Sequence, residues 1–235
     1  SGIVRIGVTE YVALTWLPDL VRELTARFPR VTLEMNVDLT LSLLDKLRGG
    51  EIDLAMLPGP IVQPGLRNIS LGFVEFAWMA SPALKIPERR LTPRDLDNWP
   101  ILTLSKTSNL YAQLERWFEE SGAVGRRTDT CNSLSVLASW TISGLGIGYL
   151  PVEHFGRDIR AGRLRMVDVT PKLPDLEYVA ALDRRHPQPL AQSVAELAVT
   201  VSTFERRTQQ PETQSGSALA AVAARRRPAA KTRAR

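Results

Sequence analysis

The chain has 235 residues, with 30 Lys and Arg against 25 Asp and Glu, two His and one Cys. That length buries a substantial core in one large or two small domains, and no apolar run approaches the roughly 20 residues that span a bilayer. The basic balance belongs to the end: Arg206 to Arg235 holds eight basic residues and one acidic, whereas Ser1 to Glu205 holds 22 basic and 24 acidic, so the folded part has no bulk attraction for nucleic acid.

The first third alternates strands and helices. "IVRIGV" reads as a strand, and Leu17, Leu20, Val21, Leu24 and Phe28 mark a helix from Trp16 to Phe28, with Pro18 in its first turn and Pro29 just past its end. "VTLEMNV" alternates as a second strand, "TLSLLDKLRGG" is a short helix ending on glycines, and "IDLAML" is a third strand. Short connections between such elements predict a parallel sheet with helices on its faces. After "LRNISL" and the aromatic strand "FVEFAWMAS", a proline-bearing stretch, Pro82 to Pro100, leads to strand "ILTL", helix "NLYAQLERWFEESG", a strand near "RRTDTC", helix "SLSVLASWTISG" and strand "GIGYLP". "RLRMVDV" and "EYVAALD" read as strands, and Leu190, Val194, Leu197, Val201 and Phe204 define a last helix. Crossings near Phe73 and Val169 predict two lobes, with the last helix returning to the first. Beyond Thr208 the chain is low in aromatic residues and rich in Ala, Arg, Gln, Ser and Thr, which reads as a disordered tail; contact of its Arg225-Arg226-Arg227 cluster with DNA is the alternative.

The glycines of "SGLGIGYLP" are not a phosphate loop, because they follow a helix and precede a strand, the reverse of the order a phosphate cradle needs. Gly144 is placed to end the helix in the left-handed region. Groups for catalysis are scarce. His154, His186 and Cys131 lack metal spacing, no nucleophile elbow or Walker loop is present, and Asp45, Glu51 and Asp53 read as caps and solvated partners. The lone Cys131 excludes an internal disulfide and fits a reducing compartment. The opening Ser1-Gly2 reads as a cleavage scar, with no signal peptide after it. What remains is a set of small polar residues where strands hand over to helices: "VTEYVALT", Asp38 to Thr40, "LSKTSN" and "TCNS". Each is either an ordinary N-cap or part of a ligand crevice at the C-terminal edges of parallel strands.

The ordered set "VRIGVTEYVALTWLPDLVRELTARFPRVTLEMNV", "TLSLLDKLRGGEIDLAML" and "ISGLGIGYLP" resembles the C-terminal effector-binding domain of LysR-type transcriptional regulators over about Ile3 to Phe204. The resemblance implies an α/β fold of two Rossmann-like lobes with type 2 periplasmic-binding-protein topology and two crossover strands. Lobe I is then residues 1–73 and 174–207, lobe II residues 74–173, and 208–235 the basic tail. It implies a small polar effector in the interlobe cleft, held by Thr9, Glu10, Tyr11, Thr40, Ser105, Lys106, Thr107 and Asn132 or Ser133. Glu10 and Asp38 disfavour a simple carboxylate there unless Lys106 or helix dipoles compensate, which points to an amine or several donors on the ligand. It further implies a cytoplasmic, non-enzymatic protein without metal, cofactor or membrane contact. It implies a homodimer through the Trp16 to Phe28 helix and the Ser133 to Ser143 helix, a tetramer at full length, and DNA contact only through an N-terminal winged helix-turn-helix that these residues do not include. The alternative on the same fold is an exported solute-binding protein of a transporter.

Overall fold

The computed structural model describes residues 2–123 and 126–207; the tail assigned to 208–235 lies outside them. The chain runs β1 (Gly2–Val8), α1 (Glu10–Leu14), α2 (Leu17–Arg27), β2 (Val31–Val37), α3 (Thr40–Arg48), β3 (Leu54–Pro58) and β4 (Leu66–Val74). It continues as β5 (Phe76–Ala80), β6 (Ile101–Leu104), α4 (Asn109–Glu120), β7 (Thr128–Cys131), α5 (Leu134–Ile142), β8 (Ile147–Pro151), α6 (Gly156–Arg160) and β9 (Arg165–Met166). β10 (Leu176–Asp183) and α7 (Pro189–Val201) close the order.

Two five-stranded sheets result, ordered β2-β1-β3-β10-β4 and β7-β6-β8-β5-β9. In the first, β1 pairs in parallel with β2 and β3, and β10 runs antiparallel between β3 and β4. The second repeats the plan: β6 is parallel to β7 and β8, and β5 is antiparallel to β8 and β9. The chain passes between sheets twice, at Glu75 and between Met166 and Leu176. α7 packs on α2, β4 and β10, which returns the end of the chain to the first sheet.

The apolar runs explain why these segments sit centrally. Every residue of β3 and of β8 is buried, as expected for strands covered on both faces. α2 buries Leu17, Leu20 and Leu24, spaced three and four apart, and α4 buries Leu110, Leu114, Trp117 and Phe118 in the same way. Two expected elements differ. "RLRMVDV" forms a strand only at Arg165 and Met166: the Val167 N–H still donates to the Trp78 carbonyl, but Val169 bridges Leu91 outside the named strands, and the chain then crosses to β10. Phe204 lies beyond the last helix: α7 stops at Val201, the Ser202 hydroxyl donates to the Leu71 carbonyl, and Glu205 bridges Phe73. Phe204 thereby stacks on Tyr11 with ring centroids 5.4 Å apart.

The glycine-rich junction is a packing device. Gly144 has φ +77°, which ends α5 in the left-handed region, and a Cβ on Gly146 would stand 2.4 Å from the Pro100 carbonyl oxygen. That carbonyl accepts from Ile147 and cannot move without breaking the β6–β8 junction. We therefore expect Gly146→Ala to cost about 1–3 kcal/mol through overpacking, and Gly144→Ala about 1–2 kcal/mol through strain, both read from urea unfolding.

At the far end of β10, the Arg185 guanidinium and its own backbone N–H donate to the buried Asp183 carboxylate and hold its pKa near 2, although burial opposes this. The unfolded carboxyl takes up its proton near the ordinary 3.8, so this contact stabilises the fold above that pH and is lost as pH falls toward 2. The stability gap between wild type and Asp183→Asn should be full at pH 7 and close by pH 2 in unfolding titrations.

Candidate functional site

The C-terminal ends of the parallel strands in both sheets face each other, and the helices that follow them start at the boundary between the lobes. α helices leave their first N–H groups without partners in their own ladder, so this boundary collects unsatisfied donors from both lobes. Thr9, Glu10, Tyr11, Leu39, Thr40 and Pro58 line it from lobe I, and Leu104, Ser108, Leu110 and Leu134 from lobe II, with Phe76, Leu176 and Tyr178 at the crossings. The enclosed cavity measures only about 30 Å³. A small-molecule site needs roughly 300 Å³ or more, so the lobes are shut against each other.

Direct bonds hold them shut. The Leu41 N–H in the first turn of α3 donates to the Thr107 carbonyl at 2.9 Å, and Asn109 returns its Nδ2 to the Pro58 carbonyl at 3.0 Å. The Asn109 N–H reaches the Thr40 hydroxyl at 3.4 Å. Glu10, in the first turn of α1, sends its carboxylate across to Ser133, Leu134 and Ser135 at the start of α5.

Each residue named from the sequence has a definite place. Thr9 precedes α1 without capping it; its hydroxyl is buried and lies beside the Tyr178 phenol without completing a hydrogen bond. Tyr11 is buried among Phe76, Tyr178 and Phe204, and burial, followed by the charge of Glu153, pushes its pKa up to about 12. The same burial raises Tyr178 further. Thr40 departs from the expected cap: Leu39 holds the N-cap position, Thr40 is the first helical residue, and its hydroxyl, in a residue 1% exposed, turns to the other lobe instead of its own helix. Ser133 does cap, accepting from the Val136 N–H at 3.3 Å, and also meets Glu10.

The remaining expected residues stand outside the cavity. Ser105 and Thr107 bond each other at 3.1 Å, and Thr107 contributes a carbonyl where its side chain was expected. Lys106 and Asn132 are exposed and do not line the cavity. Asp38 is compensated from its own helix, not by Lys106. Burial raises its pKa, but the Ser42 hydroxyl at 2.5 Å, the Lys46 ammonium at 2.9 Å and the Leu39 N–H outweigh that and bring it below the ordinary carboxylate value.

Ser108 and Asn109 fall in the polar stretch "LSKTSN" but are not among the residues expected in the site; Ser108 caps α4 through the Leu110 N–H. Ser135 and Tyr178 carried no signal, since their partners lie on the other lobe or the returning strand. A larger hollow, about 320 Å³, opens behind the crossings between Phe76–Trp78 and Met166–Asp175. It collects no helix start; two of its three carboxylates, Asp168 and Asp175, are paired with Arg90 and Arg207, and Glu75 and Lys172 line it as well.

His154 packs edge-on to Tyr11 with centroids 5.7 Å apart, and His186 sits on the surface near Asp183. Among the described residues no group of three or more His, Cys, Asp or Glu side chains is arranged to hold a metal, and no helix is long and apolar enough to cross a membrane. N–H groups, hydroxyls, one carboxylate and buried aromatic rings form a lining suited to a small polar molecule once the lobes part.

Comparison with known proteins agrees with this geometry. The probable hydrogen peroxide-inducible genes activator of Streptomyces viridosporus is 32% identical over 179 residues, 73% of this chain and 57% of the relative. The chain thus spans little more than half the length of that relative. The effector-binding domain of QuiR in complex with shikimate superposes with a TM-score of 0.71 at 16% identity, covering 86% of this chain and 99% of that one. A reduced form of OxyR from N. meningitidis gives 0.68 at 21% identity, covering 87% and 97%. Both share the two-lobed, periplasmic-binding-protein-like fold. The sequence profile of the LysR substrate binding domain matches residues 1–202, and the chain belongs to that family of bacterial transcription-regulator domains.

Proposed function

We propose that this chain senses a small polar effector in the interlobe cleft and passes the resulting lobe movement to a DNA-bound regulator oligomer. The observation that carries the reading is the closure itself: the bonds across the cleft join helix starts of two separate lobes, so any molecule that enters must exchange them for its own. The division into residues 1–73 with 174–207 and residues 74–173 is the pair of bodies that moves. Thr9, Glu10, Tyr11, Thr40 and Ser133 are the residues we assign to the effector; Ser105, Lys106, Thr107 and Asn132 would join only in an opened cleft. The domain performs no bond chemistry and works in the cytoplasm, and DNA is read by a helix-turn-helix beyond these residues. The family match and the regulator relatives favour this over a transporter's solute-binding protein. Cys131 is the single cysteine of these 235 residues, so they form no disulfide among themselves.

Thermal-shift screening of polar metabolites identifies the effector, since a ligand that binds only the folded state raises its stability. With that effector, Thr40→Val should leave unfolding stability within about 1 kcal/mol of wild type while weakening binding roughly five- to 150-fold, because Thr40 does not cap its own helix, its one bond, from the Asn109 N–H, is long at 3.4 Å, and it faces the cleft. Ser133→Ala should instead cost about 0.5–2 kcal/mol of stability through its lost cap. Unchanged calorimetric affinity in Thr40→Val removes the residue from the site.

We also propose a homodimer through α2 and α5. The core takes Leu17, Leu20 and Leu24 of the first and Leu134, Leu137 and Ala138 of the second, and leaves Leu14, Val136 and Leu145 exposed beside them. Sedimentation at tens of micromolar should show a dimer that Val136→Glu weakens; a monomer throughout overturns it.

A further inference from the structure

Glu10 makes the contact that a bound anion would make. Its carboxylate accepts from the Leu134 N–H at 2.5 Å, the Ser135 N–H at 3.2 Å, the Ser135 hydroxyl at 2.7 Å and the Ser133 hydroxyl at 3.2 Å. These are the free donors at the start of a nine-residue helix, the groups and the dipole end that hold carboxylates and phosphates elsewhere. The next N–H of that turn, from Val136, donates to the Ser133 hydroxyl. Nothing in Glu10's own lobe requires this reach: α1 is five residues long, and the side chain leaves it to cross the cleft. An independent mark of a ligand position lies alongside. The Thr9 hydroxyl, in a residue 8% exposed, lines the same cavity with no hydrogen-bond partner.

We infer that Glu10 is an intramolecular occupant of the cleft, keeping the lobes closed in the absence of effector and barring small carboxylates from the α5 start. The inference rests on the cleft reading above and names the ligand class it admits. A tethered carboxylate acts at a high effective concentration against any free one. A carboxylate effector that did displace it would then share the opened site with the Glu10 charge, and like charges at such range oppose each other. Lys46, the lobe I cation beside Asp38, comes from the last turn of α3 and is already engaged with Asn36 and Asp38, and Lys106 is exposed outside the cavity. The effector is therefore a molecule that brings donors to Glu10, an amine or a hydroxyl-rich compound.

Chemical rescue tests this in the whole chain. Glu10→Ala should lower the melting temperature and speed exchange of the Leu134 and Ser135 amides by roughly tenfold or more, as the helix start is uncovered. Sodium propionate, which restores the missing carboxylate, should reverse both changes saturably, with sodium chloride of equal ionic strength as the control. Wild type should respond to neither salt. Glu10→Gln keeps the side chain's size and one acceptor but not its charge, and should fall between the two, so the test survives if the alanine variant folds poorly. Wild-type amide protection in both variants, or a wild-type response to propionate with the variant's midpoint, overturns the assignment. The cleft reading fails separately: rescue by propionate together with an effector whose affinity ignores Thr40→Val upholds the Glu10 contact and removes the site. A carboxylate effector that binds wild type and is weakened by Thr40→Val upholds the site and overturns the role of Glu10.

Discussion

The constraint on which this molecule turns is the supply of unpaired N–H groups where parallel strands hand over to helices. A parallel sheet places all such helix starts at one edge, and two lobes built alike set two such edges face to face. Buried donors must find acceptors. In the closed state each lobe supplies acceptors to the other: Thr107 to the start of α3, Thr40 to the start of α4 and Glu10 to the start of α5.

The crossings between the lobes are reinforced by aromatic packing and by the Arg207–Asp175 ion pair. Tyr11 stacks on Phe204 and meets Phe76 and Tyr178, so the residue after the cleft's carboxylate is wedged against the turn that follows α7 and a returning strand. Contacts thus run from the cleft through Tyr11 to Phe204 in the segment that follows α7.

Much of the site was legible as residue type and little as partnership. Small polar residues after strands marked Thr9, Thr40, Ser105 and Ser133 correctly as strand-to-helix junctions, because an N-cap and an anion site draw on the same residue types. Which of these side chains cap was not legible. Ser133 and Ser108 cap, whereas Thr40 yields that position to Leu39 and Thr9 bonds nothing, and the difference depends on backbone angles that neighbours in space impose. Asp38 and Glu10 looked alike in sequence, each an acidic residue at a junction. Asp38 is satisfied within eight residues by Ser42 and Lys46, while Glu10 finds its donors more than 120 residues away.

What the sequence determined by itself is the set of elements and their order, because periodicity of apolar residues and the placement of Pro and Gly act over a few residues. Two α/β units, the helix-to-strand turn at Gly144 to Gly146, crossings near Phe73 and Val169 and the family itself all follow from such local patterns. The tertiary structure decided where Phe204 went and which donors each carboxylate met. Those outcomes depend on contacts between segments distant in sequence, whose geometry is set only when the two sheets have formed and their edges have closed on each other.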